Sequence, residues 1–136
     1  MRSLIVILIF TLAIQARAVQ MDTVSLHVRI KDKEFSTIVT REQVSKTPAW
    51  NLRDDFPPLS PRKAERAAIT KFHQLLKGSD DWERKRITLE SIGDETHWYY
   101  VVEFAPIEPQ LGPRTSLEII VLMDGTVVDP KVEDAK

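Results

Sequence analysis

The chain has no cysteine among its 136 residues and only 4 glycines, and these shortages remove whole classes of chemistry. Without cysteine there is no disulfide, no thiolate nucleophile, no cysteine-ligated zinc and no lipidated cysteine behind an export signal. With so few glycines, most of them at turns or helix ends, neither a P-loop nor a dinucleotide fingerprint can be written. A Gly-x-Ser-x-Gly elbow is missing as well, so the common serine-hydrolase nucleophile has no place here. Charge of one sign is also lacking, since 19 basic side chains face 20 acidic ones for a net of −1. The longest apolar run, Leu4 to Ile14, is broken once by Thr11. As a helix it rises about 16 Å, against a hydrocarbon core of about 30 Å, so a permanent membrane anchor is not expected.

That run has another reading. Arg2 supplies a short positive region before it, and Ala16-Arg17-Ala18 after it is a small-x-small cleavage site. Residues 1–18 are therefore expected to be a signal peptide, leaving a secreted or periplasmic protein that begins near Val19. Cleavage removes Arg2 and Arg17 and no acid, so 17 basic and 20 acidic side chains remain, a net of −3 in 118 residues. An acidic balance disfavours nucleic acid as a partner. A single domain of this size buries enough surface to stand without disulfides in an oxidising compartment.

The mature chain divides by composition. In residues 19–40, Val24, Leu26, Val28 and Ile30 alternate with Ser25, His27 and Arg29, and Phe35, Thr37 and Val39 alternate again after the polar break Lys31 to Glu34. This period of two predicts a β-hairpin. Residues 41–59 carry Pro48, Pro57, Pro58 and Asp54-Asp55 with no period, which predicts an extended connector that lays Trp50 and Phe56 onto the domain. Residues 60–132 hold the clearest signals. Ser60-Pro61 is an N-cap followed by a first-turn proline, Ala64, Ala68, Phe72, Leu75 and Leu76 recur at helical spacing, and Lys77-Gly78 closes the segment. Trp82 to Ile92 and His97 to Phe104 then read as strands around Gly93 to Thr96, with Trp98, Tyr100, Val102 and Phe104 on the face turned to the helix. Ala105 to Ser116 is a proline-rich loop, Leu117 to Met123 a strand, Asp124-Gly125 a tight turn, and Thr126 to Val128 a short last strand. From Lys131 the chain reads as a fraying end, with a polar tail over 133–136. The expected fold class is α+β, one helix on an antiparallel sheet, preceded by a hairpin and a proline-rich connector.

Three pieces of this order carry a resemblance: Ala64-x-x-Ala67-Ala68-Ile69 in the helix, Trp98 to Phe104 in the middle strand, and Val121-Leu122-Met123-Asp124-Gly125-Thr126-Val127-Val128 at the end. Residues 60–132 resemble the small exported PepSY and PepSY-like domains, of half-cystatin shape. The resemblance implies a helix across an antiparallel sheet and a binding or regulatory role outside the cytoplasm, in some members linked to inhibition of peptidases. It implies no catalytic residue.

The residues bearing chemistry point the same way. His27, His73 and His97 lie more than four residues apart and write no zinc motif, so neither metal nor cofactor is expected. Asp54-Asp55 and Asp80-Asp81 are adjacent pairs whose side chains diverge, and Asp124 is accounted for by its turn. Arg84-Lys85-Arg86 beside Trp82 could touch a polyanion, but reads first as a charged strand edge. On the face of the middle sheet opposite the helix, Tyr99, Val101, Ile120 and Leu122 form the expected apolar surface for a protein or peptide partner. The expected function is a non-enzymatic binding or regulatory module acting through that face or through an edge strand. Two other readings stay open, a small hydrolase with a site assembled from His27, His97 and Asp124, and a structural subunit of an envelope assembly. Intact mass measurement on the exported protein is expected to show a chain starting near Val19, and retention of Met1 would overturn both the signal and the compartment.

Overall fold

A computed structural model describes residues 22–108 and 115–136. The predicted signal peptide and residues 109–114 of the predicted loop lie outside the described residues. Over the described residues the protein is mixed α/β and mostly strand, with two three-stranded antiparallel sheets and two helices. In chain order these are β1 (Thr23–Ile30), β2 (Lys33–Thr40), α1 (Arg41–Ser45), α2 (Pro61–Leu75), β3 (Trp82–Ser91), β4 (Trp98–Pro106), β5 (Leu117–Leu122) and β6 (Lys131–Asp134). One sheet is ordered β1-β2-β6 and the other β3-β4-β5.

β1 and β2 pair in unbroken register from Thr23↔Thr40 to Ile30↔Lys33, as the alternation predicts. The intervening two-residue loop puts Lys31 at a φ of 55°, a left-handed conformation that costs a non-glycine residue about 1–2 kcal/mol. Thr40 then ends the hairpin and starts α1 in the same step. Its hydroxyl accepts from the Gln43 N–H at 3.2 Å while the Gln43 side chain accepts from the Thr40 N–H at 2.9 Å, a reciprocal capping box. The predicted connector therefore opens with a helical turn whose Val44 is buried. Composition hid it, because five residues are too few to show a period.

α2 begins where Ser60 and Pro61 place it, with the Ser60 hydroxyl accepting from the Lys63 N–H at 3.3 Å. Ala64, Ala68 and Phe72 share one core cluster with Tyr100, Val102 and Phe104 of β4, Leu117, Ile119 and Val121 of β5, and Ile30 and Phe35 of the hairpin. Phe72 stacks on Phe104 with ring centroids 4.3 Å apart, and Trp82 tilts against Phe72 at 5.9 Å. The Tyr100 hydroxyl donates to the Leu59 carbonyl at 2.8 Å, pinning the connector to the core just before α2.

The chain end differs from expectation. Lys131–Asp134 does not fray but pairs with β2 from Lys33↔Asp134 to Ser36↔Lys131. Val132 lies opposite Phe35, a Lys33–Asp134 ion pair closes the outer end, and the Ala135 N–H donates to the Asp32 carbonyl at 2.8 Å. Conversely, the predicted strand at Thr126 to Val128 reduces to a single bridge, Val121↔Val127. The connector also splits its aromatics. Trp50 is held down by its backbone N–H donating to the Thr96 carbonyl at 2.8 Å and by an edge contact of its ring with Trp98 at 5.9 Å, whereas Phe56 stands 83% exposed.

Truncation of Phe72 to alanine removes the ring that links Phe104 and Trp82, and is expected to lower unfolding free energy by about 3–5 kcal/mol in a urea titration. A loss under about 1 kcal/mol would place Phe72 outside the core.

Candidate functional site

The sheet face opposite α2 is closed. Tyr99, Val101, Ile120 and Leu122 are 0%, 6%, 0% and 6% exposed, in a second cluster with Val39 of β2, Val44 of α1, Ile92 and Val128. Val24 and Leu26 of β1 pack against the same cluster. The four residues expected to form a partner surface are thus core, because the hairpin and α1 lie over them. The Tyr99 hydroxyl donates to Glu90 Oε2 at 3.2 Å, and burial together with that carboxylate pushes its pKa up to about 12. An envelope assembly built on Val101, Ile120 and Leu122 has no surface left to use.

The three side chains of the possible hydrolase site each occupy a different local setting. His97 sits in the β3–β4 turn, where its ring meets Asp94 Oδ2 at 3.1 Å. Asp124 Oδ1 accepts from the Thr126 N–H at 2.9 Å and closes its own turn. His27 is exposed on β1 and lines a cleft that neither of the others lines. Among the described residues, no group of three or more His, Asp or Glu side chains converges as a metal ion would require. The basic triplet is spent on ion pairs. Arg84 Nε meets Glu65 Oε1 at 2.7 Å, Lys85 pairs with Glu83, and Arg86 Nη2 meets Glu103 Oε2 at 2.8 Å.

What remains open is main chain, so the four outer strands decide where a partner can add. β3 carries Glu83, Arg84, Lys85 and Arg86, all exposed, and a register shift between Arg84 and Arg86 that bulges Lys85 out of the ladder. Charge and a bulge are the usual protection of an edge. β6 is four residues long and bears Lys131, Glu133 and Asp134. The C-terminal half of β5 is already occupied, with the Leu122 N–H donating to the Thr126 carbonyl at 2.8 Å and the Val128 N–H to the Ile120 carbonyl at 2.9 Å. β1 has none of these defences. It runs eight residues in continuous register and holds one charge, Arg29, with no proline and no bulge.

Beside β1 lies a cleft of about 190 Å³. Leu26, His27 and Val28 of β1, Phe35 and Thr37 of β2, and Leu117 and Glu118 of β5 line it, together with Ser116. Glu118 is the charged member of its strand. Burial pushes its pKa up, the nearby Glu103 and Glu90 carboxylates push the same way, and Arg86 opposes them in part. The cleft and edge together offer a row of main-chain donors and acceptors next to a half-apolar trough. Sequence reasoning passed over Glu118 and Thr37, although a lone glutamate in Leu-Glu-Ile-Ile-Val-Leu was a visible irregularity. No family model, curated protein or solved structure matches this chain.

The β3–β4 turn is ordered by one carboxylate. Asp94 Oδ1 accepts from the Thr96 N–H at 2.8 Å, the Thr96 hydroxyl at 2.9 Å and the His97 N–H at 2.8 Å. Burial by itself would raise the pKa of Asp94, but these bonds and the His97 ring outweigh it and hold the group well below its ordinary 3.8. A depressed carboxylate contributes stability above its unfolded value and loses it as pH falls through the folded one. Asp94→Ala is therefore expected to cost about 1–2 kcal/mol at pH 7. The gap between variant and parent should narrow as urea titrations are taken below the ordinary value of 3.8. An equal gap at neutral and strongly acid pH would show that the charge is not the source.

Proposed function

We propose that this chain is a non-enzymatic, exported binding module that recognises an extended segment of a protein or peptide partner by adding it as a strand to β1. The observation that carries this reading is the asymmetry of the edges. Among the described residues, β3, β6 and half of β5 are charged, bulged, short or paired, while β1 is an edge strand of eight residues in unbroken register, with neither a bulge nor a proline. Strand addition draws affinity from main-chain hydrogen bonds and specificity from pockets for alternate side chains. The cleft between β1 and the start of β5 offers such a pocket, apolar at Leu26, Val28, Phe35 and Leu117 and polar at Thr37 and Glu118.

The half-cystatin, PepSY-like arrangement is part of the same proposal. It is supported by Ala64, Ala68 and Phe72 of α2 sharing a core with β4 and β5, and by the Asp124-Gly125 turn after the closing strand. Two features lie outside that arrangement, the hairpin over the opposite face and the return of β6 to β2. Catalysis is the weaker reading, because His27, His97 and Asp124 sit in three separate settings.

The reading is tested by selecting binders from a displayed library of short neutral peptides, then following backbone amide exchange of the protein with a selected peptide bound. Protection is expected to rise in β1 and not in β3. Replacing the exposed Ser25 and His27 together by lysine guards the edge, and should weaken binding roughly tenfold or more. Peptides that protect another strand, or that bind the double-lysine variant unchanged, would refute strand addition at β1.

A further inference from the structure

The cations that stand out in the sequence are neutralised, and those that do not stand out are left unpaired. Arg84-Lys85-Arg86 is matched by three glutamates, as described above. On α2, by contrast, Arg62, Lys63 and Arg66 are all exposed and, among the described residues, have no acidic partner. At about 100° per residue, Arg62, Arg66 and His73 fall within roughly 40° of one another, and Lys63 within about 100°. They lie opposite the face of Ala64, Ala68 and Phe72. The helix's acid, Glu65, is on the flank and is taken by Arg84, and its remaining lysine, Lys71, is taken by Asp129. The outward face of α2 therefore carries three unpaired cations and no acid, on a chain whose total charge is −1.

Two further observations make this face more than a solvated surface. Arg62 and Lys63 occupy the first turn, which holds no acid, where the positive end of the helix dipole opposes them. The fold gains nothing from cations there. Phe56, four residues before the N-cap, is 83% exposed and Leu52, eight before it, is 57% exposed, while Leu59 between them and the helix is fixed through its carbonyl to Tyr100. Large exposed apolar side chains thus precede the unpaired cations by a short stretch of chain. Arg53, Asp54 and Asp55 beside Phe56 sum to one negative charge, so the attractive field comes from the helix.

We propose that the outer face of α2, with Phe56 and Leu52 beside its N-terminus, docks reversibly on an anionic phospholipid surface. Dispersed cations suit a plane of phosphate headgroups, and an exposed phenylalanine suits insertion at the acyl boundary. A nucleic acid or sulfated polymer would use the cations and leave Phe56 without a role. No described helix is long and apolar enough to cross a membrane, so attachment would be at the surface.

The probe is co-sedimentation of the mature chain with vesicles of phosphatidylcholine containing about 30% phosphatidylglycerol, compared with pure phosphatidylcholine. Binding is expected on the anionic vesicles alone, and should largely disappear in about 0.5 M salt. At roughly fivefold per cation, changing Arg62, Lys63 and Arg66 together to serine should weaken it roughly a hundredfold. Phe56→Ser should weaken it severalfold with the salt dependence kept. These side chains are exposed and the first-turn cations oppose the helix dipole, so the variants should melt no lower than about 1–2 °C below the parent. Absence of binding at low salt, or binding that ignores either set of substitutions, would overturn the proposal. So would equally tight binding to duplex DNA or heparin that does not depend on Phe56.

Discussion

The constraint on which the structure depends is that β4 is buried on both sides. Tyr100, Val102 and Phe104 enter the core containing α2, and Tyr99 and Val101 enter the core beneath the hairpin. A strand of this kind cannot be covered by one layer. Each fully buried apolar side chain contributes about 1.5–3 kcal/mol, so Tyr99, Val101, Ile120 and Leu122 together represent about 6–12 kcal/mol as an upper figure. That is comparable with the whole net stability of a small domain, about 5–15 kcal/mol. The hairpin and α1 are therefore structural necessities. A face carrying that much of the stability cannot open to a partner, which leaves edges and outer helix surfaces as the places where the proposed binding would occur.

Much of this was legible in the sequence because the relevant signals are local. The period of two in Thr23 to Val39 fixed the hairpin and which of its residues turn inward, and Ser60-Pro61 fixed the start of α2 to the residue. The alternation along Trp98 to Phe104 correctly separated the two faces of β4. What could not be read is what covers what. Tyr99, Val101, Ile120 and Leu122 look the same in sequence whether they meet solvent, a partner or another part of the chain, and long-range packing alone decides between these. The hairpin's claim on that face rests on Val24, Leu26 and Val39, whose pattern says that they are buried but not against which surface.

Two further departures from expectation have the same origin. Lys131-Val132-Glu133-Asp134 has no apolar alternation, and it becomes a strand because β2 supplies an edge, a Val132–Phe35 neighbour and a lysine for Asp134. Thr126 to Val128 has the better strand composition, yet the chain swings away after one bridge and Pro130 is buried instead. Pairing partners override local propensity at the margins of a sheet, where few hydrogen bonds are at stake. Glu118 illustrates the converse. One glutamate in a buried strand is a local anomaly, but its meaning depends on the cleft that β1 and β2 build beside it.

Charge placement follows the same logic of geometry over composition. Three consecutive basic residues attract notice in a sequence, yet on a strand the outer positions meet neighbours on facing elements, and here Glu65 and Glu103 are those neighbours. Arg62, Lys63 and Arg66 are interrupted by alanine and glutamate and look unremarkable in line. The helix gathers them on the side away from the core, where among the described residues no acid pairs with them. Ion pairing thus depends on which side of an element faces the rest of the fold. Cations on inward flanks, such as Lys71 beside Asp129, are neutralised within the chain. Those on the outermost surface keep their charge, at a cost in the first turn of α2 that packing does not repay.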